Sequence, residues 1–162
     1  MLPAMNQEPL SVHPFAHLFV YGTLRRQAGN TMSQWLSERA MFVGEALCQG
    51  HLFLIADYPP YPGLVPSEQV RNGLPTGWVK GDLYALPDPA SLLPKLDEYE
   101  ACSPGFTEPT EYVRQHRPVT LIDGRQLQAW VYVFNRPIQG LQEIVSGDFL
   151  QACSSIPSTE SR

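Results

Sequence analysis

Glu100 closes the segment Leu96-Asp97-Glu98-Tyr99-Glu100, and the spacing of its neighbours decides whether it can move a proton. With successive residues about 100° apart on a helix, Leu92, Leu93 and Tyr99 fall within about 60° of Leu96, and Glu100 lies inside that stripe, about 40° away. Glu98 falls on the opposite face and Asp97 at the margin. A carboxyl on the apolar side is desolvated, and the negative end of the helix lies beside it. Both disfavour the charged form and raise the pKa toward the range where a general base works near neutral pH. The same position also suits a structural acid bonded to a backbone N–H or an arginine.

A second element lies far away in the chain. Leu18-Phe19-Val20-Tyr21-Gly22-Thr23-Leu24-Arg25-Arg26 reads as a buried strand that stops at a glycine turn. Gly22 admits backbone conformations that other residues resist, and successive N–H groups in such a turn form a nest for an anion such as a substrate carboxylate. Strand–glycine–turn sequences are common and most bind nothing. Arg25 and Arg26 either add positive charge there or are simply solvated.

The elements that must position these groups are mostly strands. Strand signals cover residues 18–21, 42–47, 51–55, 78–86, 112–122 and 127–134, and Asp123-Gly124 marks a tight hairpin between the last two. Residues 127–134 are apolar on both alternating faces, as in a strand covered on both sides. Helices are expected at residues 31–38, where Met32, Trp35 and Leu36 recur at helical spacing, at residues 89–100 and, from a weaker pattern, near residues 147–152. Asp88-Pro89 supplies a cap and a proline at the first helical position, whereas Pro94 implies a kink or a later start. The expected fold class is α+β: a small, mostly antiparallel β-barrel with flanking short helices. Residues 1–16 read as a loose leader, 17–152 as the domain and 153–162 as a flexible tail.

Composition narrows the function classes. The chain has 162 residues, 43% of them hydrophobic, which suffices for one sizeable core. Eleven basic against sixteen acidic residues give a net charge of −5 without a block of like charge, arguing against nucleic acid or an anionic membrane as partner. The apolar runs are far shorter than the roughly 20 residues of a membrane helix, and the first residues carry no secretory pattern. Cys48, Cys102 and Cys153 lack CxxC spacing and fit reduced thiols, so a cytoplasmic location is expected.

Other reactive residues read as bystanders. His13 and His17 are four apart but have no third ligand, so no metal site is expected. Cys102 lacks a paired histidine in sequence and reads as a passive thiol. Tyr61, Tyr84, Tyr112 and Tyr132 read as core or cleft wall. Arg114 either pairs with a carboxylate or faces solvent. No GxSxG or phosphate-binding loop is present.

Val20-Tyr21-Gly22-Thr23-Leu24-Arg25, Asn30, Tyr61-Pro62-Gly63-Leu64, Gly81-Asp82-Leu83-Tyr84, Leu96-Asp97-Glu98-Tyr99-Glu100 and Tyr112-Val113-Arg114 follow one another in the chain. In that order they resemble the γ-glutamylcyclotransferase-like family, in its AIG2-like and γ-glutamylamine cyclotransferase branch, over about residues 17–135. The resemblance implies a small β-barrel with a cleft between the Tyr-Gly-Thr-Leu turn and a carboxylate. It places the catalytic acid on Glu100, in agreement with the helical wheel. The substrate-binding set falls on Tyr21, Gly22, Thr23 and Leu24, extended to Arg25, Gly63 and Tyr112. Ala101 stands where many members have glycine, and Pro94 interrupts a helix that is usually uninterrupted.

The implied reaction releases 5-oxoproline and a free amine from a small γ-glutamyl compound. The substrate's own α-amine is the nucleophile and Glu100 serves as base and then acid. The turn would hold the α-carboxylate or steady the developing oxyanion. No cofactor and no metal is expected. A non-catalytic module that binds an amino-acid-like metabolite in the same cleft is the alternative, and a related acyl transfer on a specialised metabolite is a third reading. The leaving amine and the oligomeric state stay open. Loops 57–77 and 101–111, rich in Pro and Gly, are expected to form the rim.

Overall fold

Strand β1 (Ala16–Val20) is buried from His17 onward, because it has a neighbour on both edges. The computed structural model, which describes residues 15–70 and 77–154, pairs β1 antiparallel with β5 (Trp78–Leu86). The opposite edge of β1 runs parallel to β7 (Gln126–Phe134), with Leu18 facing Trp130 and Phe19 facing Val131. From β5 the sheet continues through β2 (Met41–Gln49) and β6 (Tyr112–Leu121) to β7, all antiparallel. The ring β1-β5-β2-β6-β7 therefore closes into a five-stranded barrel. β4 (Tyr61–Val65), β3 (His51–Ile55) and the short β8 (Gln142–Glu143) extend the sheet beyond β7. The barrel is thus mixed, antiparallel except for β1–β7 and the parallel β4–β7 contact at Leu64 and Val133.

Both faces of the ring are covered, which explains the two-sided apolar pattern of β1 and β7. One face, supplied by all five ring strands, packs Phe19, Ala46, Val79, Val119 and Val131 together. The other carries Leu18, Val20 and Tyr84 against helices α1 (Thr31–Arg39) and α2 (Pro89–Tyr99) through Leu36, Leu92, Leu93 and Leu96. A third helix, α3 (Phe149–Ser154), begins two residues later than the sequence pattern suggests. No helix among the described residues is long and apolar enough to cross a membrane.

Several local expectations are met and others change. The Asp123-Gly124 hairpin forms, with Gly124 at φ 96° and its N–H donating to the Leu121 carbonyl at 2.8 Å. Asp88 precedes α2, but its side chain caps nothing. Its carbonyl instead accepts from Ser91 and Leu92 N–H at 3.1 and 3.0 Å. The helix runs through Pro94 rather than starting there, and Pro94 is exposed. Within the expected 57–77 loop the chain forms strand β4 and a 3-10 turn, Ser67–Gln69. Pro62 and Gly63 hide that strand from a propensity reading, since both weaken a strand signal. The leader as far as residue 14, including His13, and the tail from residue 155 lie outside the described residues.

The barrel parts at one place. β1 and β4 occupy the same edge of β7, one ending as the other begins. In the gap, the Tyr21 hydroxyl donates to the Tyr132 carbonyl of β7 at 2.6 Å and accepts from the Leu64 N–H of β4 at 3.0 Å. A phenol takes the place of a strand-to-strand bond. Tyr21→Phe leaves a buried carbonyl and a buried N–H without partners, and it is expected to cost about 2 kcal/mol. Urea denaturation of the two proteins measures this, and equal stability would show that the bridge carries nothing.

Candidate functional site

The gap between β1 and β4 is where the first chemical element emerges. After Val20 the chain turns through residues 22–25, closed by Arg25 N–H donating to the Gly22 carbonyl at 3.0 Å. Gly22 is required for space and not for a left-handed backbone, since its φ is not positive. A Cβ there would lie 2.6 Å from Pro62 Cγ. Asn30 fixes the far side of the turn. Its Nδ2 donates to the Thr23 carbonyl at 2.7 Å, while its Oδ1 caps α1 at the Ser33 N–H at 2.8 Å. The N–H groups of Gly22, Thr23 and Leu24 make no hydrogen bond among the described residues.

The second element arrives from the end of α2. Two bonds stop the helix, Ala101 N–H to the Glu98 carbonyl at 3.1 Å and Cys102 N–H to the Asp97 carbonyl at 2.9 Å. This is a Schellman ending, which requires a left-handed residue after the cap. Ala101 takes that role at φ 58°, a conformation glycine adopts more easily. Glu100 is the cap itself, and the ending directs its chain away from the helix axis. Tyr99 ties the helix end to the turn through a 3.0 Å bond between its hydroxyl and Thr23 Oγ1.

The two elements share a cavity of about 440 Å³. Tyr21, Gly22, Thr23, Leu24, Glu100 and Tyr112 all line it. Arg25 and Gly63 do not. Arg25 is 2% exposed and its guanidinium is held by Asp82 and Asp148 at 3.3 Å each and by Glu45 at 3.6 Å. Gly63 serves packing, since a Cβ there would meet the Phe134 ring at 2.7 Å. Tyr61 and Tyr132 are cavity wall, as their pattern suggests, whereas Tyr84 is buried elsewhere.

Glu100 is half-buried, and its carboxyl has no hydrogen-bond or ion-pair partner among the described residues. Burial pushes its pKa up to about 8, and the charges of Glu111 and Asp97 add to the rise. Asp97, three residues earlier, has a contrasting environment. Arg114 grips it through Nε at 2.8 Å and Nη2 at 3.0 Å, and the Tyr132 hydroxyl donates to it at 2.6 Å. Arg114 in turn lies over the Trp130 ring at 4.4 Å. Burial raises the pKa values of Tyr21, Tyr112 and Tyr132, so these hydroxyls stay protonated. Burial also lifts the Cys102 thiol to about 11, which keeps it a poor nucleophile.

Sequence reasoning passes over Glu111 and Asp57, which also line the cavity. Glu111 accepts from the Tyr61 hydroxyl at 2.5 Å. The two acids come from different loops and meet only through the pairings of β3, β4, β6 and β7, so no local spacing reveals them. Among the described residues no group of His, Cys, Asp and Glu is arranged to hold a metal ion.

Residues 18–151 match the family described as gamma-glutamyl cyclotransferase, AIG2-like. Over 133 residues the chain is 32% identical to the gamma-glutamylcyclotransferase family protein YtfP of Escherichia coli (strain K12), covering 82% of this chain and 95% of that protein. An AIG2-like protein from Mus musculus has the same fold, with a TM-score of 0.63 and 26% identity over 93% of this chain and all of its own. A protein from Pyrococcus horikoshii shares the fold with a TM-score of 0.56 at 23% identity, covering 86% and 93% of the two chains.

The unpaired acid has a measurable consequence for stability. Folded Glu100 keeps its proton to about pH 8, against an ordinary value of 4.5. Between those values the folded state binds more protons than the unfolded one, so stability falls as pH rises and levels off above the folded pKa. The slope is at most about 1.4 kcal/mol per pH unit. Glu100→Gln removes this loss, so its stability relative to wild type increases across the window. Urea denaturation at about pH 5 and about pH 8.5 tests it, and a pH-independent difference would contradict it.

Proposed function

The chain belongs to the AIG2-like γ-glutamyl cyclotransferase family, and from that premise we propose that it releases 5-oxoproline and a free amine from a small γ-glutamyl compound. The observation that carries this reading is the Glu100 carboxyl, unpartnered among the described residues, in a cavity shared with a turn whose N–H groups are unspent.

The substrate supplies its own nucleophile, the α-amine, which enters as an ammonium ion. In the ionised enzyme, Glu100 takes one proton from it. The freed nitrogen attacks the γ-carbonyl carbon, and the new N–C bond closes a five-membered ring. The amide C–N bond then breaks as Glu100 returns this proton to the departing nitrogen, and the second proton shed by the ring nitrogen passes through Glu100 to the freed amine, which leaves as an ammonium ion. No water is consumed and no protein bond is made. A carboxyl raised to about 8 is a much stronger base than an ordinary glutamate at about 4.3, so the first transfer from the ammonium is far less uphill. The N–H groups of residues 22–24 take the α-carboxylate, and folding the substrate into a near-attack shape supplies much of the rate.

The test is 5-oxoproline release from γ-glutamyl amino acids and γ-glutamyl amines. Glu100→Gln is expected to lose at least about a hundredfold in kcat, the lower range for a general base. For wild type, kcat/KM follows a bell. Its acid limb reports Glu100 near 8, because below that pH the acid already holds the proton it must accept. Its alkaline limb reports loss of the substrate ammonium. Turnover by Glu100→Gln at the wild-type rate would overturn the assignment. Saturable binding of these compounds without 5-oxoproline release would make the cavity a metabolite-binding module instead.

A further inference from the structure

Asn30 does not line the cavity, yet its side chain joins the turn over residues 22–25 to α1. Its Oδ1 accepts from the Ser33 N–H at 2.8 Å, and its Nδ2 donates to the Thr23 carbonyl at 2.7 Å. The Asn30 N–H donates to Ser33 Oγ at 2.9 Å, which completes a capping box. The helix so capped is anchored in the core by Ser33 and Leu36, at 2% and 0% exposure. The side chain is therefore held fixed, and the helix decides which way its amide faces. The oxygen goes to the Ser33 N–H, which leaves the nitrogen for Thr23. Capping alone is served equally well by Ser or Asp. Of these three, only Asn presents a separate donor nitrogen on the far side of the cap.

We infer that Asn30 is a positioning residue, which aims the Leu24 N–H into the cavity by holding the carbonyl at the other side of the same peptide. The Thr23–Leu24 peptide is trans, so its N–H and carbonyl point in opposite directions. The carbonyl is bound by a residue outside the cavity lining, whereas Thr23 and Leu24 belong to that lining. The N–H is thus turned to the cavity side, where it has no hydrogen bond among the described residues. The bond from Asn30 also polarises the peptide, which strengthens the N–H as a donor. Beyond the turn, the Arg26 N–H donates to Asp82 at 2.8 Å, but that peptide lies outside the lining. The inference rests on the cyclotransferase reading for the anion that the Leu24 N–H meets, the substrate α-carboxylate. Without the Asn30 amide the peptide is free to rotate, and its carbonyl then turns toward that carboxylate in place of the N–H.

A matched pair decides this: the γ-glutamyl compound that wild type turns over fastest, and the same compound with its α-carboxylate converted to a carboxamide. Release of their shared amine is the signal. Asn30→Ser keeps a cap for α1 and removes the donor to Thr23. It is expected to raise KM for the carboxylate compound and to lower the carboxylate-to-carboxamide ratio of kcat/KM about tenfold, the scale of one hydrogen bond to a charged group. Its kcat and the acid limb near 8 set by Glu100 are expected to match wild type. The isosteric Asn30→Asp is expected to lower the ratio further, because an oxygen then faces the Thr23 carbonyl. Ser33→Ala breaks the capping box without touching Thr23, and it is expected to lose stability in urea while keeping the ratio. That ratio is internal to each protein, so a general loss of activity does not disturb it. An unchanged ratio in both Asn30 variants, or an equal fall in Ser33→Ala, would overturn the inference and leave the cyclotransferase reading standing. If wild type releases no 5-oxoproline, that reading fails, and calorimetric binding of 5-oxoproline against 5-oxoprolinamide judges Asn30 separately. A preference for the carboxylate that Asn30→Ser loses supports the positioning role. No preference, or one that Asn30→Ser retains, overturns it.

Discussion

Tyr21 holds together the one place where the barrel comes apart. β7 cannot keep β1 and β4 on one edge at the same position, so the sheet must split there, and a split exposes strand N–H and carbonyl groups that need partners. The Tyr21 hydroxyl satisfies one from each side, Tyr132 and Leu64. Tyr112 does the same for the Pro62 carbonyl. These phenols are also cavity walls. The cavity and the bonds that keep the sheet intact are therefore made by the same side chains. The turn over residues 22–25 can leave its N–H groups unspent because the strands around it are already closed.

Electrostatics divides the acids of α2 into two kinds. Asp97 is satisfied by a bidentate arginine and a phenol. Glu100, one helical turn on, has no such partner and is pushed toward neutrality by burial and by neighbouring charges. One acid is bound into the structure and the other is left without a partner among the described residues. The Schellman ending makes the separation possible, because it turns Glu100 out of the helical row in which Asp97 sits. Ala101 bears the left-handed φ this needs without being glycine.

Much of the site was legible from local pattern. Leu92, Leu93 and Leu96 fix the buried stripe of α2, and with it the side on which Glu100 falls. The resemblance to known relatives independently marked the same acid. The strand alternation of residues 127–134 announced a doubly covered strand, and Asp123-Gly124 announced its hairpin. Position 62 was harder to read. Pro62 and Gly63 look like a loop, yet they form a strand because Gly63 lets β4 pack on Phe134 and Pro62 presses on Gly22. Arg25 misled for a related reason: its neighbours in sequence are site residues, whereas its neighbours in space are Asp82, Asp148 and Glu45. Glu111 and Asp57 reach the cavity through strand pairing across long stretches of chain, which no window of sequence contains.

The central claim is that Glu100 stands unpaired in the cavity with its proton held far above the ordinary carboxylate range. A carboxyl-carbon NMR titration of the free protein, with the Glu100 signal identified by its loss in Glu100→Gln, measures this directly. The account predicts a midpoint near 8, and a midpoint near the ordinary 4.5 would contradict it.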